Sequence, residues 1–216
     1  MCFSAAASFT TATLTAGIGI ATLRQVKHWR ELPLASIALL FAFQQGVEGA
    51  LWLKLSSGDA KGAVAALSLA FLIYAKVFWP AYAGLAVLLI EPDDRRKQAL
   101  YVITALGCTI SIYVLHRLIE NPPAIAIVCH SIDYGGNENA LSWQSLVYIL
   151  CTCVPFLLSS SRAVQNFGAF VLIGFAISAY AYFATFISVW CFFAAGGSSL
   201  LYFYFKHAAV RAPLSR

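Results

Sequence analysis

The sequence predicts an all-α membrane protein, a polytopic bundle of seven transmembrane helices that forms one domain over residues 1–216. Hydrophobic residues make up 61% of the chain and charged residues only 11%, whereas soluble domains are about 45–50% apolar and about 25% charged. The apolar residues also gather in stretches of about 20, the length of a helix that crosses a bilayer. The lipid bilayer is therefore the expected partner of most of the surface.

Seven such stretches follow one another along the chain. The predicted spans are Ser4–Leu23, Leu32–Leu53, Gly62–Ile90, Gln98–Ile119, Leu141–Leu158 and two helices within Phe167–Lys206. We expect Pro80 to kink the third span. The last run is divided near Phe183–Phe186, because its 40 residues are too many for one helix. Since only three residues precede the first span and none is basic, we expect a retained helix rather than a cleaved signal peptide.

Basic residues predict the orientation, because Lys and Arg are enriched in cytoplasmic loops. Ten of the 14 lie on one side of the predicted spans and two in loops on the other side. The ten are Arg24, Lys27, Arg30, Arg95, Arg96, Lys97, Arg162, Lys206, Arg211 and Arg216. This distribution places the N-terminus outside and the C-terminus in the cytoplasm. The net charge of +5 then belongs to the cytoplasmic face and its anionic lipid. We find no basic-aromatic motif and no phosphate-binding loop, so the charge does not indicate a nucleic-acid partner.

Glu48 is the most informative single residue, because a carboxylate within the hydrocarbon region normally faces a partner or a wet cavity. Gln44, Glu48 and Trp52 are spaced four apart, so they share one face of the second span. The candidate partners of Glu48 at the same depth are His116, Arg117 and His130. Glu48 is therefore either a buried acid, base or ligand, or half of a structural ion pair with Arg117 that joins the second and fourth spans.

A loop of about 20 residues, Asn121–Ala140, separates the fourth and fifth spans. Loops of this length are usually functional or disordered, and this one contains Cys129, His130 and Tyr134. Its apolar run 124–128 suits either the membrane interface or a position inside the bundle. We expect residues 120–141 to form an extracytoplasmic lid over the helix ends.

Sulfur, nitrogen and oxygen ligands gather at the same predicted outer end. Cys2, Glu48, His130 and Cys191 could together bind a tetrahedral Zn²⁺, with Cu as the alternative if the thiolates dominate. Two other interpretations stay open. Two of the cysteines Cys2, Cys129 and Cys191 could form a disulfide, or His130 could only hydrogen-bond its own loop.

Lys76 lies in the middle of the third span, just before Phe78-Trp79-Pro80. With Trp52, Glu48 and Gln44 it could form a polar file suited to a proton or ion path. Alternatively, Lys76 is satisfied locally by Gln44 and by backbone carbonyls beside the proline.

Five short motifs make the sequence similar to a known group of proteins. They are Met1-Cys2-Phe3-Ser4-Ala5, Gln44-Gln45-x-x-Glu48-Gly49-x-x-Trp52, Phe78-Trp79-Pro80, His130-Ser131-Ile132-x-Tyr134 and Ser188-Val189-Trp190-Cys191-Phe192. Together they resemble an uncharacterised family of bacterial integral membrane proteins that open with Met-Cys-Phe/Trp-Ser-Ala. The resemblance extends over essentially the whole chain and implies a multi-pass protein of a bacterial inner membrane. The family-type positions that it implies are Cys2, Glu48, Trp52, His130, Tyr134 and Cys191.

The residues fit three functions. The first is a membrane-embedded, metal-dependent hydrolase-type enzyme, in which Zn²⁺ activates water, Glu48 is the general base and His130 is a ligand or acid. Its candidate substrate-binding residues are Gln44, Trp52, Tyr134, Trp190 and Arg117. The second is a proton- or ion-coupled transporter or channel that uses Glu48 and Lys76. The third is a seven-helix sensor that binds a small molecule or a lipid.

Overall fold

The computed structural model describes residues 4–57, 61–122, 125–128, 131–134, 143–181 and 185–211, and this part of the chain is mostly helical. Its helices are α1 (Ala5–Leu23), α2 (Leu32–Ser56), α3 (Lys61–Leu72), α4 (Trp79–Leu88), α5 (Asp94–Glu120), α6 (Trp143–Thr152), α7 (Val154–Leu158), α8 (Arg162–Ala181), α9 (Phe186–Gly197) and α10 (Ser199–Arg211). A 3-10 turn, Trp29–Glu31, precedes α2, and a π-helical segment, Ile73–Phe78, joins α3 to α4. The two strands are β1 (Ala126–Val128) and β2 (Ser131–Asp133).

The helices support the predicted class of an all-α membrane protein. Within the described residues, six helical segments are long and apolar enough to cross a membrane. They are Ala5–Leu23, Trp29–Ser56, Gly62–Leu88, Asp94–Glu120, Arg162–Ala181 and Ile187–Lys206. On α5, Val102 and Ile112 are 70% and 71% exposed. Large apolar side chains on an outer surface are the pattern expected of a face that contacts lipid.

The fifth predicted span, Leu141–Leu158, is not one continuous helix. α6 and α7 follow each other across Cys153, and Pro155 lies in the first turn of α7. Proline has no N–H to donate to the carbonyl four residues earlier, and its ring crowds that turn, so the helix is interrupted. The division predicted near Phe183–Phe186 agrees with the structure, since α8 ends at Ala181 and α9 begins at Phe186.

The third predicted span changes its helical form just before Pro80. The π-helical segment Ile73–Phe78 lies immediately before the proline-containing turn that opens α4. Neighbouring helices bond two carbonyls of this segment: Ser111 Oγ donates to Val77 O at 2.5 Å, and the Tyr148 hydroxyl donates to Ala75 O. The irregular turn is thus held by α5 and α6, which is how membrane helices accommodate such interruptions.

α2 is the central helix of the bundle, and it packs against α1, α3, α4, α9 and α10. More than half of its membrane-spanning window is buried inside the protein. α4 and α5 also approach closely, because Gly107 lies against the backbone carbonyl of Pro80 and any side chain there would collide with it. Gln44, Gln45 and Glu48 in the second half of α2 are fully buried and therefore face protein and not lipid.

Part of the predicted lid loop forms a small hairpin. β1 pairs antiparallel with β2, with Ala126 opposite Asp133 and Val128 opposite Ser131. Ile132 and Tyr134 are buried, and the Tyr134 ring stacks on Phe71 of α3 with centroids 4.4 Å apart. The second strand is thus directed into the bundle, together with Ile125, which packs against the same core, whereas Ala126 and Ile127 are exposed.

Candidate functional site

Three parts of the chain meet at the carboxylate of Glu48, which is fully buried about two turns before the end of α2. Ser188 Oγ of α9 donates to Glu48 Oε1 at 2.6 Å, and the Tyr134 hydroxyl after β2 donates to the same oxygen at 3.2 Å. Gln45 Nε2 donates to Oε2 at 3.2 Å. The carboxylate therefore joins α2, α9 and the hairpin inside the bundle.

Gln44 extends the site one turn earlier along α2. Trp79 Nε1 of α4 donates to Gln44 Oε1 at 2.8 Å, and the Trp79 ring stacks on Phe41 with centroids 4.1 Å apart. The Cys191 thiol lies one turn after Ser188, beside the Gln44 side chain and near enough to Glu48 to interact with it electrostatically. We call Gln44, Gln45, Glu48, Trp52, Trp79, Tyr134, Ser188 and Cys191 the Glu48 cluster.

Several atoms of this cluster lack a hydrogen-bond partner although they are buried. They are Gln44 Nε2, Gln45 Oε1 and Trp52 Nε1. Gln44 and Gln45 are fully buried and Trp52 is 6% exposed, so bulk water does not reach these groups. Such orphaned polar atoms are rare in folded proteins and call for an explanation.

The structure places the predicted face of Gln44, Glu48 and Trp52 inside the bundle. The alternative of an ion pair between Glu48 and Arg117 is not supported, because Glu48 is fully buried, Arg117 is exposed on α5, and the salt bridges found among the described residues do not include this pair. α5 buries the face that carries Ser111 and Leu118, and Arg117 is rotated away from that face by one helical step. The neighbouring His116 instead lies 3.4 Å from Glu120, four residues further along the helix.

The structure describes only two of the four predicted zinc ligands. Glu48 and Cys191 lie in the same cluster, and Cys191 is a free thiol. Cys2, Cys129 and His130 lie outside the described residues. Among the residues that the structure does describe, no three His, Cys, Asp or Glu side chains are grouped as metal ligands would be. The metal site therefore stays a prediction.

Lys76 and Trp190 are two further residues that the sequence singles out. The Gln44 amide oxygen accepts from Trp79 Nε1 of α4, and the contact of Lys76 with Gln44 stays a prediction. Trp190, a candidate substrate-binding residue, is buried and donates from Nε1 to Val171 O at 2.9 Å. Its indole thus joins α8 to α9 inside the bundle.

A second buried carboxylate, which the sequence did not single out, belongs to Glu91 between α4 and α5. It accepts from Ser160 N at 2.8 Å, from Asp93 N at 3.3 Å and from the Ser160 hydroxyl. Arg96 Nη1 lies in the same region and donates to Leu158 O and Ser159 O at 2.8 and 2.9 Å. We call Glu91, Arg96, Ser159 and Ser160 the Glu91 cluster, and it ties the α4–α5 connection to the α7–α8 connection.

A match to one protein family covers almost the whole chain. The model of a family described as a family of unknown function (DUF6629) matches residues 1–215, so the chain belongs to this family. This agrees with the resemblance to an uncharacterised family. Neither the curated proteins nor the solved structures yield a significant match.

Proposed function

We propose that this DUF6629 protein is an integral membrane protein that binds a small molecule at the Glu48 cluster. The observation that carries the proposal is the group of three buried polar atoms without partners, on Gln44, Gln45 and Trp52, beside a buried carboxylate. Each such atom destabilises a protein by about 1–3 kcal/mol, and lipid tails offer it no hydrogen bond. A bound molecule with its own donors and acceptors would satisfy these atoms.

The proposal is tested by native mass spectrometry of the full-length protein, purified in detergent from its own membranes. We expect the wild-type protein to carry a molecule of defined mass, and Gln45→Leu to lose it. Gln165→Leu is the matched control. Gln165 Nε2 donates to Ser159 O at 2.8 Å, and Ser159 belongs to the Glu91 cluster, far from the proposed binding site. Wild-type protein without a bound molecule, or Gln45→Leu with the same bound mass, contradicts the proposal.

A zinc-dependent enzyme is a second proposal, supported by Glu48 and Cys191 lying in one cluster. Zinc held by three of the residues Cys2, Glu48, His130 and Cys191 would lower the pKa of a water in its fourth position, and whichever of Glu48 and His130 is not a ligand could then take its proton. Elemental analysis of protein purified without chelators tests this. One equivalent of zinc that falls in Cys191→Ala but not in Cys151→Ala supports the site, and metal-free wild-type protein argues against it.

We also propose seven spans, with α6 and α7 together forming the fifth, in a bacterial inner membrane with the N-terminus outside. The support is the ten-to-two distribution of basic residues between the two sides. In a background without native cysteines, Ser57→Cys and Asp94→Cys can be labelled in spheroplasts with an impermeant maleimide. We expect labelling of Ser57→Cys in intact spheroplasts and of Asp94→Cys only after permeabilisation. The opposite pattern would reverse the orientation.

A further inference from the structure

The connection between α1 and α2, residues 24–31, is rich in basic side chains, and we call it the basic connection. The helices on both sides of it are long and apolar enough to cross a membrane, so we expect it to lie among the lipid head groups. Arg24, Lys27 and Arg30 are exposed on it, and Glu31 is its one acidic residue. The basic connection thus carries an excess of positive charge.

The basic connection is short and is held closely against the bundle. Near it, α1 and α2 approach each other so closely that a Cβ added at Gly19 would meet the backbone nitrogen of Leu39 at 2.8 Å. Val26, in the middle of the connection, packs against the hydrophobic core. The three cations are therefore confined to a small area, where they repel one another and where a bound anion would stabilise the folded protein.

Glu31 balances only part of this charge. Its Oε2 atom accepts from the backbone nitrogens of Lys27 and His28 at 2.9 and 3.2 Å, so this carboxylate closes the turn of the connection. The neighbouring helix adds no negative charge. α10 packs beside α1 and α2, and it contains Lys206 but no Asp or Glu. The basic connection therefore keeps a net positive charge.

A second basic stretch at the same end of the bundle differs from the basic connection. Residues 91–97 hold three basic and three acidic side chains. Arg96 Nη1 donates to two backbone carbonyls of the α7–α8 connection, and Lys97 Nζ lies 3.1 Å from a carboxylate oxygen of Asp94. The charge of this stretch is balanced within the protein, so the excess positive charge is concentrated on the basic connection.

Aromatic and apolar side chains lie next to these cations. Trp29 is 64% exposed and Leu32 is 46% exposed, and the Arg30 guanidinium lies 5.6 Å from the centre of the Trp29 ring. Tryptophan is typical of the boundary between head groups and lipid tails. A partner with both an anionic head group and an apolar chain matches this combination, whereas a free anion would leave Trp29 and Leu32 without an apolar contact.

We propose that the basic connection binds an anionic phospholipid, with Arg24, Lys27 and Arg30 attracting its phosphate and Trp29 contacting the lipid below the head group. The site is separate from the Glu48 cluster, so its test is independent of the proposed small-molecule function. A free phosphate ion has the same charged chemistry as the lipid head group. The apolar neighbours favour the lipid, and the experiment distinguishes the two sources.

The probe is phosphatidylglycerol with brominated acyl chains, which quenches the fluorescence of nearby tryptophan. Full-length protein is reconstituted in phosphatidylcholine bilayers that contain an equal, small mole fraction of brominated phosphatidylglycerol or brominated phosphatidylcholine. The part of the quenching that is lost in Trp29→Phe reports the lipid beside Trp29. We expect phosphatidylglycerol to quench Trp29 more strongly. Arg30→Gln should lower its apparent affinity about fivefold, the effect of one basic residue near an anionic lipid.

Arg24→Gln leaves the contact of Arg30 with Trp29 intact and should lower the affinity to a similar extent, whereas Arg30→Lys keeps the charge and should retain it. Arg95→Gln is the matched control, because it removes one exposed charge from the stretch 91–97, and it should change nothing. The proposal is overturned if both lipids quench Trp29 equally, or if Arg95→Gln has the same effect as Arg30→Gln. It is also overturned if inorganic phosphate at constant ionic strength abolishes the preference, because the site would then bind a free anion.

Discussion

Among the described residues, two buried carboxylates lie at opposite ends of the bundle and differ in their surroundings. Glu48 lies towards the end where α2 leads to α3, and Glu91 at the end where α4 leads to α5. Glu91 is 3% exposed and is bonded mainly by backbone N–H groups of the loops. Glu48 is bonded by side chains, and its neighbours retain three polar atoms without partners.

This difference separates a structural carboxylate from a site that can bind something. Burying a carboxylate destabilises the folded protein at either position, so burial alone does not identify function. Around Glu91, no buried side-chain atom of the described residues lacks a partner, and Arg96 completes the bonding of the adjoining carbonyls. The orphaned atoms of Gln44, Gln45 and Trp52 are what distinguishes the Glu48 cluster as a candidate binding site.

The largest expected effect on stability belongs to Glu91. Glu91→Ala should lower the free energy of unfolding by about 3 kcal/mol, because it removes all three hydrogen bonds that the buried carboxylate accepts from Ser160 and Asp93. Glu48→Gln should lower it by about 1 kcal/mol, since an amide oxygen still accepts from Ser188 and Tyr134. Unfolding with a denaturing detergent, followed by circular dichroism, measures both values.

Glu120→Ala is the control for Glu91, because Glu120 is an exposed carboxylate at the end of α5. It should change the free energy of unfolding by no more than about 0.5 kcal/mol. If Glu91→Ala and Glu120→Ala are equally stable, the Glu91 cluster does not hold the two connections together. If Glu48→Gln destabilises more than Glu91→Ala, the two carboxylates have been assigned the wrong roles.

A tryptophan pair gives a matched test of the unpartnered atoms. Trp52 and Trp190 are both 6% exposed, so replacing either ring by Phe removes a similar buried volume. Only the Trp190 indole has an acceptor, Val171 O. Trp190→Phe should therefore destabilise the ligand-free protein by about 1 kcal/mol more than Trp52→Phe does. Equal losses in the two variants would mean that the Trp52 N–H is satisfied in the protein.

The sequence predicts the class of fold and one face of the site, because both depend on local patterns. Long apolar stretches are sufficient to identify membrane helices. A spacing of four residues is enough to place Gln44, Glu48 and Trp52 on the same side of α2. Proline also marks the two interruptions, before Pro80 and before Pro155, although the π-helical form of the first one is not encoded by any simple spacing.

The partners of these side chains could not be predicted, because they depend on the rotation of one helix against another. Trp79 reaches Gln44 from 35 positions away in sequence, and Ser188 reaches Glu48 from 140 positions away. Opposite charge makes Arg117 one of three candidate partners of Glu48, yet α5 turns Arg117 outwards. The hairpin strands are three residues long, too short for an alternating pattern to appear.

The smallest expected effect concerns the single bond from Tyr134 to Glu48, and a double-mutant cycle isolates it from the loss of packing. Tyr134→Phe keeps the ring that stacks on Phe71 and removes only the hydroxyl. Combined with Glu48→Ala, it should show a coupling free energy of about 1 kcal/mol, the value of one hydrogen bond to a buried acceptor. Combined with Glu91→Ala, it should show a coupling near zero, because the two clusters lie at opposite ends of the bundle. Coupling of similar size in both cycles would mean that the two carboxylates communicate through the helices, and their separation into a structural cluster and a binding cluster would no longer hold.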